Sequence, residues 1–457
     1  MKPAGENNHP LGDSEILKHL APVGLRSHDT QFGPVFVRGN GARLWTENEE
    51  LFLDLKCGYS ANNFGHAFPP LVKSLRSQVS VLGHLTGDLH NKKLELAAKL
   101  AEIFGPLIRS EDSSDAQVIF NTGGARAVES AWKAAASFRP GAILSLGPGF
   151  HGRSVATSVI SDTTKSLEDA ITPDSYKVVR DSYPYCTGCP LKLTFPDCQL
   201  GCVSQLEDTL RNQASDISCV IVEPALGPRG YIFPPPAFFK WLRKLADETG
   251  ILLVADEVQT GLGRCGSWLL CSKQGWKPDL LILGKSLGGG LIPISAVVGR
   301  PSLFADMPPG SESETFSATP LGCSIALTVL DQLANTNLMQ RGEEIGATLR
   351  NACKNFLQWH DGIAIEGTGS CCVIELIACP NFEHISMLAD EAFKKHKLLV
   401  HRSGPHNTRF VLLPPLTLAS DELGLTLDRL ESVFDFLKSS KAELESGATY
   451  GTSPNRE

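Results

Sequence analysis

The sequence predicts an α/β fold, with a large domain whose mostly parallel sheet is sandwiched by helices and a smaller α+β domain built from both chain ends. Two observations lead there. Short apolar runs of strand length alternate with helical stretches through the middle of the chain, and both flanks break that pattern. Continuous β-branched and leucine runs bounded by turn residues suit strands buried on both faces. Strands that alternate with helices build a doubly wound sheet.

Taken in order, residues 33–64 alternate like short antiparallel strands with glycine-containing turns. The strand-length runs follow at Gln117–Phe120, Ala142–Leu146, Val220–Val222, Ile251–Ala255, Leu280–Leu283 and Ser295–Val298. Between them, Ala125–Ala136 is alanine-rich, and Pro236–Thr249 places apolar residues at helical spacing before Gly250 ends it. After Pro320 a long helical pattern leads to strand-like Cys372–Ile377 and Arg409–Leu413, then to a helix over Ser420–Ser439. The expected division is an N-terminal segment over 1–70 contributing to the small domain, a large domain over 71–320, a C-terminal small domain over 321–440 and a disordered tail over 441–457.

Composition narrows the function. With 42% hydrophobic and 20% charged residues in 457, the chain is an ordinary globular one rather than a disordered one. A net charge of −8 argues against nucleic acid as the main partner. The apolar runs fall far short of the roughly 18 residues that a membrane span needs, and Met1–Glu15 lacks the apolar core of a secretory signal. Thirteen cysteines without such a leader read as reduced thiols in a cytoplasmic protein.

In an open parallel sheet, ligands sit beyond the carboxyl ends of the strands. Gln117–Phe120 is followed there by Asn121-Thr122-Gly123-Gly124-Ala125-Arg126, small residues opening a helix whose free N–H groups can cradle an anion. Ala142–Leu146 is followed by Gly147-Pro148-Gly149-Phe150-His151-Gly152-Arg153, Val220–Val222 by Glu223-Pro224, Ile251–Ala255 by Asp256-Glu257-Val258-Gln259, and Leu280–Leu283 by Gly284-Lys285. Singly, each has a plain structural reading: a turn, a capping aspartate, a solvated lysine. Gly147, Gly149 and Gly152 also match G-x-G-x-x-G, but Pro148 and the β-rich run Ser154–Ile160 argue against the helix a dinucleotide site requires. Together, one Lys, one Asp, one aromatic and one anion cradle suit pyridoxal 5'-phosphate (PLP). That cofactor needs a Schiff-base lysine and a carboxylate to keep its pyridine nitrogen protonated.

Val222-Glu223-Pro224, the run from Leu253 through Asp256-Glu257-Val258-Gln259-Thr260-Gly261 to Arg264, and Gly284-Lys285 resemble the class-III (omega-amino-acid type) aminotransferases of PLP fold type I. Asn62-Asn63-Phe64-Gly65-His66 and Thr315-Phe316 with Pro320-Leu321 extend the likeness over most of the chain. The resemblance implies transamination between an amino acid or omega-amino acid and a 2-oxo acid. Lys285 would hold the cofactor as an internal aldimine and move protons, and Asp256 would pair with the pyridine nitrogen. Phe150 and Val258 would lie on the two ring faces, Gln259 near the ring hydroxyl, and Gly124 and Ala125 on the phosphate. His151 and Glu223 complete the cofactor-binding set. Thr315 would reach the phosphate of a neighbouring subunit, making a homodimer with shared active sites. Arg409 matches the arginine that grips a substrate carboxylate.

The chain also departs from the family pattern. Gly123 stands where relatives carry a serine, and Arg126 where they carry a glutamate. Many relatives also place an acid at the position of Pro228, where it masks the arginine matching Arg409. Without that acid, either the substrate always brings a carboxylate or Arg409 swings aside. Separately, Cys186, Cys189, Cys198 and Cys202 lie in an insertion and form a candidate zinc site, with an iron–sulfur cluster or plain reduced thiols as the other readings. An amino-acid racemase, aminomutase or decarboxylase on the same fold would need the same Lys285 and Asp256. A non-catalytic scaffold is disfavoured by the presence of Lys285, Asp256 and Arg409 together.

Overall fold

The computed structural model describes residues 34–85, 87–109, 116–161, 177–358, 362–376 and 382–439. Three antiparallel strands come first: β1 (Phe36–Asn40), β2 (Arg43–Thr46) and β3 (Leu51–Asp54). Two helices, Pro69–Val79 and Asn91–Phe104, lead from them to the large sheet.

That sheet is formed by β4 (Gln117–Asn121), β5 (Ala142–Gly147), β6 (Val178–Ser182), β7 (Ile217–Val222), β8 (Leu252–Asp256), β9 (Leu280–Leu283) and β10 (Ser295–Gly299), in the order β4-β10-β9-β8-β7-β5-β6. All neighbours from β9 to β6 are parallel. Strand β10 runs antiparallel to both β9 and β4, so β4 points the same way as β9. Strands β7 to β10 are buried along their whole length, as their valine, isoleucine and leucine content requires. The alanines of the helix Gly124–Phe138 let it lie close on the sheet, with Ala127, Ala131, Ala134 and Ala135 wholly buried.

The second half supplies β11 (Ile363–Glu366), β12 (Cys372–Leu376), β13 (Leu398–Leu399), β14 (His401–Ser403) and β15 (Arg409–Leu412). Strands β11, β12, β15 and β14 form an antiparallel sheet, while β13 joins β3 in parallel. Both chain ends therefore meet in the smaller unit. Its core gathers Leu53 and Leu55 from one end and Ile345, Leu349, Ile374, Phe410 and Val433 from the other. The helix Pro320–Asn335 packs instead into the larger core through Cys323, Ile325, Ala326 and Val329. The helix expected over Ser420–Ser439 has those bounds.

One local expectation fails. Ser154–Ile160 does not continue as a strand: Val155–Ile160 is a short helix. A reciprocal cap starts it, in which the Ser154 hydroxyl accepts the Thr157 N–H and the Thr157 hydroxyl accepts the Ser154 N–H at 3.0 Å. This end cap outweighs the β-branched content. Met1–Glu15, Ile377 and the tail over 441–457 lie outside the described residues. Among the described residues no helix is long and apolar enough to cross a membrane.

Candidate active site

The carboxyl ends of β4, β5, β7, β8 and β9 face one side of the sheet, and the polar residues expected there meet. Asp256 closes β8 with its side chain buried. One carboxylate oxygen lies 2.8 Å from Nδ1 of His151, itself buried after β5, and the other accepts the Val258 N–H at 3.2 Å. The His151 backbone N–H donates to the Ser161 hydroxyl at 2.8 Å, which fixes the residue from behind. The Gly147–Gly152 turn thus serves to deliver His151 to Asp256.

Lys285 follows β9 with φ +43, a left-handed backbone uncommon outside glycine. Its Nζ donates to Oε1 of Gln259 at 2.6 Å. Burial lowers the ammonium from its ordinary value to about 8, against the carboxylates of Glu223 and Asp256, which favour the charged form. Glu223 is buried and accepts two backbone N–H groups, from Phe150 at 2.8 Å and Gly227 at 3.1 Å. Burial pushes its carboxyl up to about 7, with His151 pulling it down and the Asp256 charge pushing it further up. Glu223 therefore clamps the backbone that presents Phe150, whose ring has the Arg153 guanidinium 5.4 Å from its centroid.

Val258 sits between two glycines. A Cβ at Gly124 would stand 3.2 Å from Val258 Cγ1, and one at Gly284 3.3 Å, so neither position has room for a side chain without moving Val258. Gly123 is extended, makes no side-chain cap and faces open space, leaving the first turn of the 15-residue helix Gly124–Phe138 with N–H groups that no side chain caps there.

Gln259 Nε2 and His151 Nε2 are buried polar atoms without a hydrogen-bond partner, close to an amine of lowered basicity and an uncapped helix N-terminus. The donor set fits PLP: a lysine for its aldehyde, a buried carboxylate for its ring nitrogen and main-chain N–H groups for its phosphate.

Three neighbours of this site were not legible in the sequence. Glu314 accepts the Thr122 N–H and hydroxyl, both at 3.0 Å, Asn121 Nδ2 at 3.2 Å and Arg126 Nε at 2.7 Å. Against its partial burial, these bonds hold Glu314 below the usual carboxylate range. Arg126 also pairs with Glu129, so the extra cation beside the cradle is matched by two acids.

The other two, Glu366 and Glu375, correct the expectation for Arg409. The guanidinium is wholly buried, and its bare state, expected from Pro228, is not what is found. Nη1 pairs with Glu375 and Nη2 with Glu366, while Nε donates to the Gly230 carbonyl at 2.8 Å and Nη2 to the Tyr231 carbonyl at 3.1 Å. The Tyr185 hydroxyl donates to Glu375, and its ring centroid lies 5.9 Å from the guanidinium. A Cβ at Gly404 (φ +86) would come within 2.7 Å of Arg409 Cδ, so glycine there makes room for the arginine. The acids come from the small sheet, not from the 223–231 loop.

Thr315 lies on the connection before the helix Pro320–Asn335, its carbonyl accepting from His84 Nε2 at 2.9 Å. The Cys186, Cys189, Cys198 and Cys202 thiols are free. Burial and the neighbouring thiols of Cys202, Cys198 and Cys189 hold the Cys186 thiol above its ordinary value. Among the described residues no group of three or more His, Cys, Asp or Glu side chains is arranged to hold a metal ion, and zinc at this quartet finds no support.

The model of the family "Aminotransferase class-III" matches residues 25–434. The chain is 30% identical to the mitochondrial ornithine aminotransferase of Arabidopsis thaliana, with 98% of this chain and 90% of that one covered. It is 29% identical to the 4-aminobutyrate aminotransferase of Escherichia coli, covering 89% and 95%, and 28% identical to a leucine/methionine racemase of Thermococcus litoralis, covering 91% and 94%. Among solved structures, a PLP-bound amine transaminase from an uncultivated Pseudomonas species superposes with a TM-score of 0.79 at 27% identity, covering 91% and 97%. A Bacillus anthracis aminotransferase, at 22% identity and covering 94% and 100%, shares the fold with a TM-score of 0.82. The chain belongs to the class-III aminotransferase family, and its chemistry is PLP-dependent transamination.

Proposed function

We propose that Lys285 is the residue that holds PLP and moves protons in this transamination, between an amino acid or omega-amino acid and a 2-oxo acid. The observation that carries the reading is the Lys285 amine, of lowered basicity, held on Gln259 beside the buried Asp256–His151 pair. When bound, PLP supplies an aldehyde that captures amines and a ring that withdraws electrons from the carbon bearing them. Asp256 would keep a proton on the ring nitrogen, with His151 holding Asp256 in place. Phe150 and Val258 would flank the ring, and Gln259 would lie near its hydroxyl. Glu223 would hold Phe150 by its backbone, and the N–H groups of Gly124 and Ala125 would bind the phosphate.

The names of the relatives, which include ornithine, acetylornithine and 4-aminobutyrate aminotransferases, support a donor with its reactive amine at the chain end. The acid-paired Arg409 supports the same class, because such a donor presents no carboxylate beside its reacting carbon. A homodimer, with Thr315 serving the neighbouring subunit, follows the family pattern. Free thiols at all twelve described cysteines support a cytoplasmic setting. In the proposed division, residues 1–70 and 321–440 form the small unit around residues 71–320, with the helix Pro320–Asn335 riding on the larger core.

The test of this reading is a half-reaction. An amino donor alone should remove the visible absorbance of the loaded protein in a single turnover, and a 2-oxo acid should restore it. A racemase or decarboxylase would turn over donor with the absorbance retained, and that result would reject transamination.

A pH dependence follows from Lys285. Below about 8 the amine is protonated and cannot attack an aldehyde; above it the free amine dominates. The rate at which cofactor-free protein captures PLP should therefore rise with pH and level off above about 8. Stopped-flow absorbance between pH 6 and 10 reads this, and a rise continuing to pH 10 would mean that Lys285 is not depressed.

A further inference from the structure

Arg409 has more acid around it than one guanidinium needs. Two carboxylates meet one guanidinium, and two carbonyls take further N–H groups. A substrate carboxylate can reach this arginine only by replacing one of its partners. The two acids are held very differently.

Glu375 lies on β12, which is flanked by β11 and β15, and its side chain is 4% exposed. It sits directly opposite Arg409 in the β12–β15 register, and its other oxygen accepts the Tyr185 hydroxyl. Both of its oxygens are therefore engaged by groups fixed in the fold. Glu366 is the last residue of β11, an edge strand of that sheet, and its side chain is 30% exposed. Gly367 follows it with φ +138, a conformation that side-chain-bearing residues rarely adopt. The Glu366 carboxylate bonds to Arg409 Nη2 through one oxygen.

We propose that Glu366 is the exchangeable cover of Arg409, displaced by the carboxylate of an incoming acid substrate, while Glu375 with Tyr185 is the fixed anchor that keeps the guanidinium in place. With Glu366 in, the site admits the donor's reacting end without a bare cation beside it. With Glu366 out, the freed N–H of Nη2 meets the substrate's carboxylate. The carbonyls of Gly230 and Tyr231 and the Glu375 carboxylate hold the rest of the guanidinium in both states. One arginine then serves two substrates of different charge. This rests on the transaminase reading for its meaning, but not for its test.

The test is binding of glutarate, an unreactive dicarboxylate, to the PLP-loaded protein by calorimetry, so it does not require turnover. A competing charge-assisted bond removed from a partly desolvated arginine is worth about a tenfold change in affinity. Glu366→Gln should tighten glutarate by about tenfold and lower the KM for a 2-oxo acid in parallel. Glu375→Gln should not tighten it beyond about twofold. Glu366→Asp, which keeps the charge on a shorter arm, should fall between wild type and Glu366→Gln. Unchanged or weaker glutarate binding in Glu366→Gln overturns the proposal, and so does equal tightening in Glu375→Gln. If the donor half-reaction fails in wild type while Glu366→Gln still tightens glutarate, the transaminase reading falls and the exchangeable cover stands.

Discussion

Lys285→Ala is expected to abolish turnover and to remove the visible absorbance of the PLP-loaded protein. Lys285 stands past the carboxyl end of β9 with its amine hydrogen-bonded to Gln259. On the proposed role of Lys285, the variant would lose both the covalent tether and the proton carrier. Proton transfer alone contributes about 10²–10⁴-fold, so the combined loss should exceed about 10⁴-fold. The fold should survive, because the substitution removes a buried amine whose charged form burial disfavours. With a folded value below the unfolded one, that amine costs stability wherever the unfolded chain would be protonated, which includes neutral pH. The melting temperature of cofactor-free Lys285→Ala should therefore equal or exceed that of the cofactor-free wild type. A variant that melts normally yet keeps the absorbance band would place the cofactor on another residue.

Asp256→Ala should lower kcat by at least about 10²-fold, the low end of what a positioned proton partner contributes, while PLP stays attached. The carboxylate is the buried anion that can hold a proton on the ring nitrogen, and His151 stands 2.8 Å behind it. Removing the acid leaves His151 without its partner but leaves Lys285, Gln259 and the helix N-terminus untouched. Absorbance titration of PLP into the variant separates retention from activity. Activity within tenfold of wild type with full retention would show that Asp256 is not the ring partner.

The parts of this molecule that the sequence made legible are those whose physics is local. Strand runs such as Leu280–Leu283 and the helix Ser420–Ser439 are set by continuous apolar stretches and helical spacing, and the structure has them at those bounds. The order of Phe150, Asp256 and Lys285 could be read because each stands at or just past the end of a strand, and parallel strands deliver their ends to one side. Ser154–Ile160 misled because two hydroxyls at its start outweigh the β-branched residues that follow. The partners of Arg409 were hidden for a different reason. Glu375 is 34 residues away and Glu366 is 43, and only the register of the antiparallel sheet brings them beside the arginine. Glu314, 188 residues from Arg126, comes to the cradle on a connection with no periodic signal. Pro228 pointed to a bare guanidinium, but a missing acid at one position says nothing about acids arriving from another sheet.

Arg409 is also a rivet. It grows from β15 in the small sheet, yet two of its bonds end on the carbonyls of Gly230 and Tyr231, in the loop that starts at Glu223 on the large sheet. Tyr185 crosses the same seam from the opposite side to reach Glu375. These bonds use the Nε edge, one N–H of Nη2 and the Glu375 carboxylate, none of which Glu366 occupies. On the proposed exchange of Glu366 for a substrate, the seam would stay riveted, and alternation between two substrates would be a side-chain event instead of a hinge between lobes.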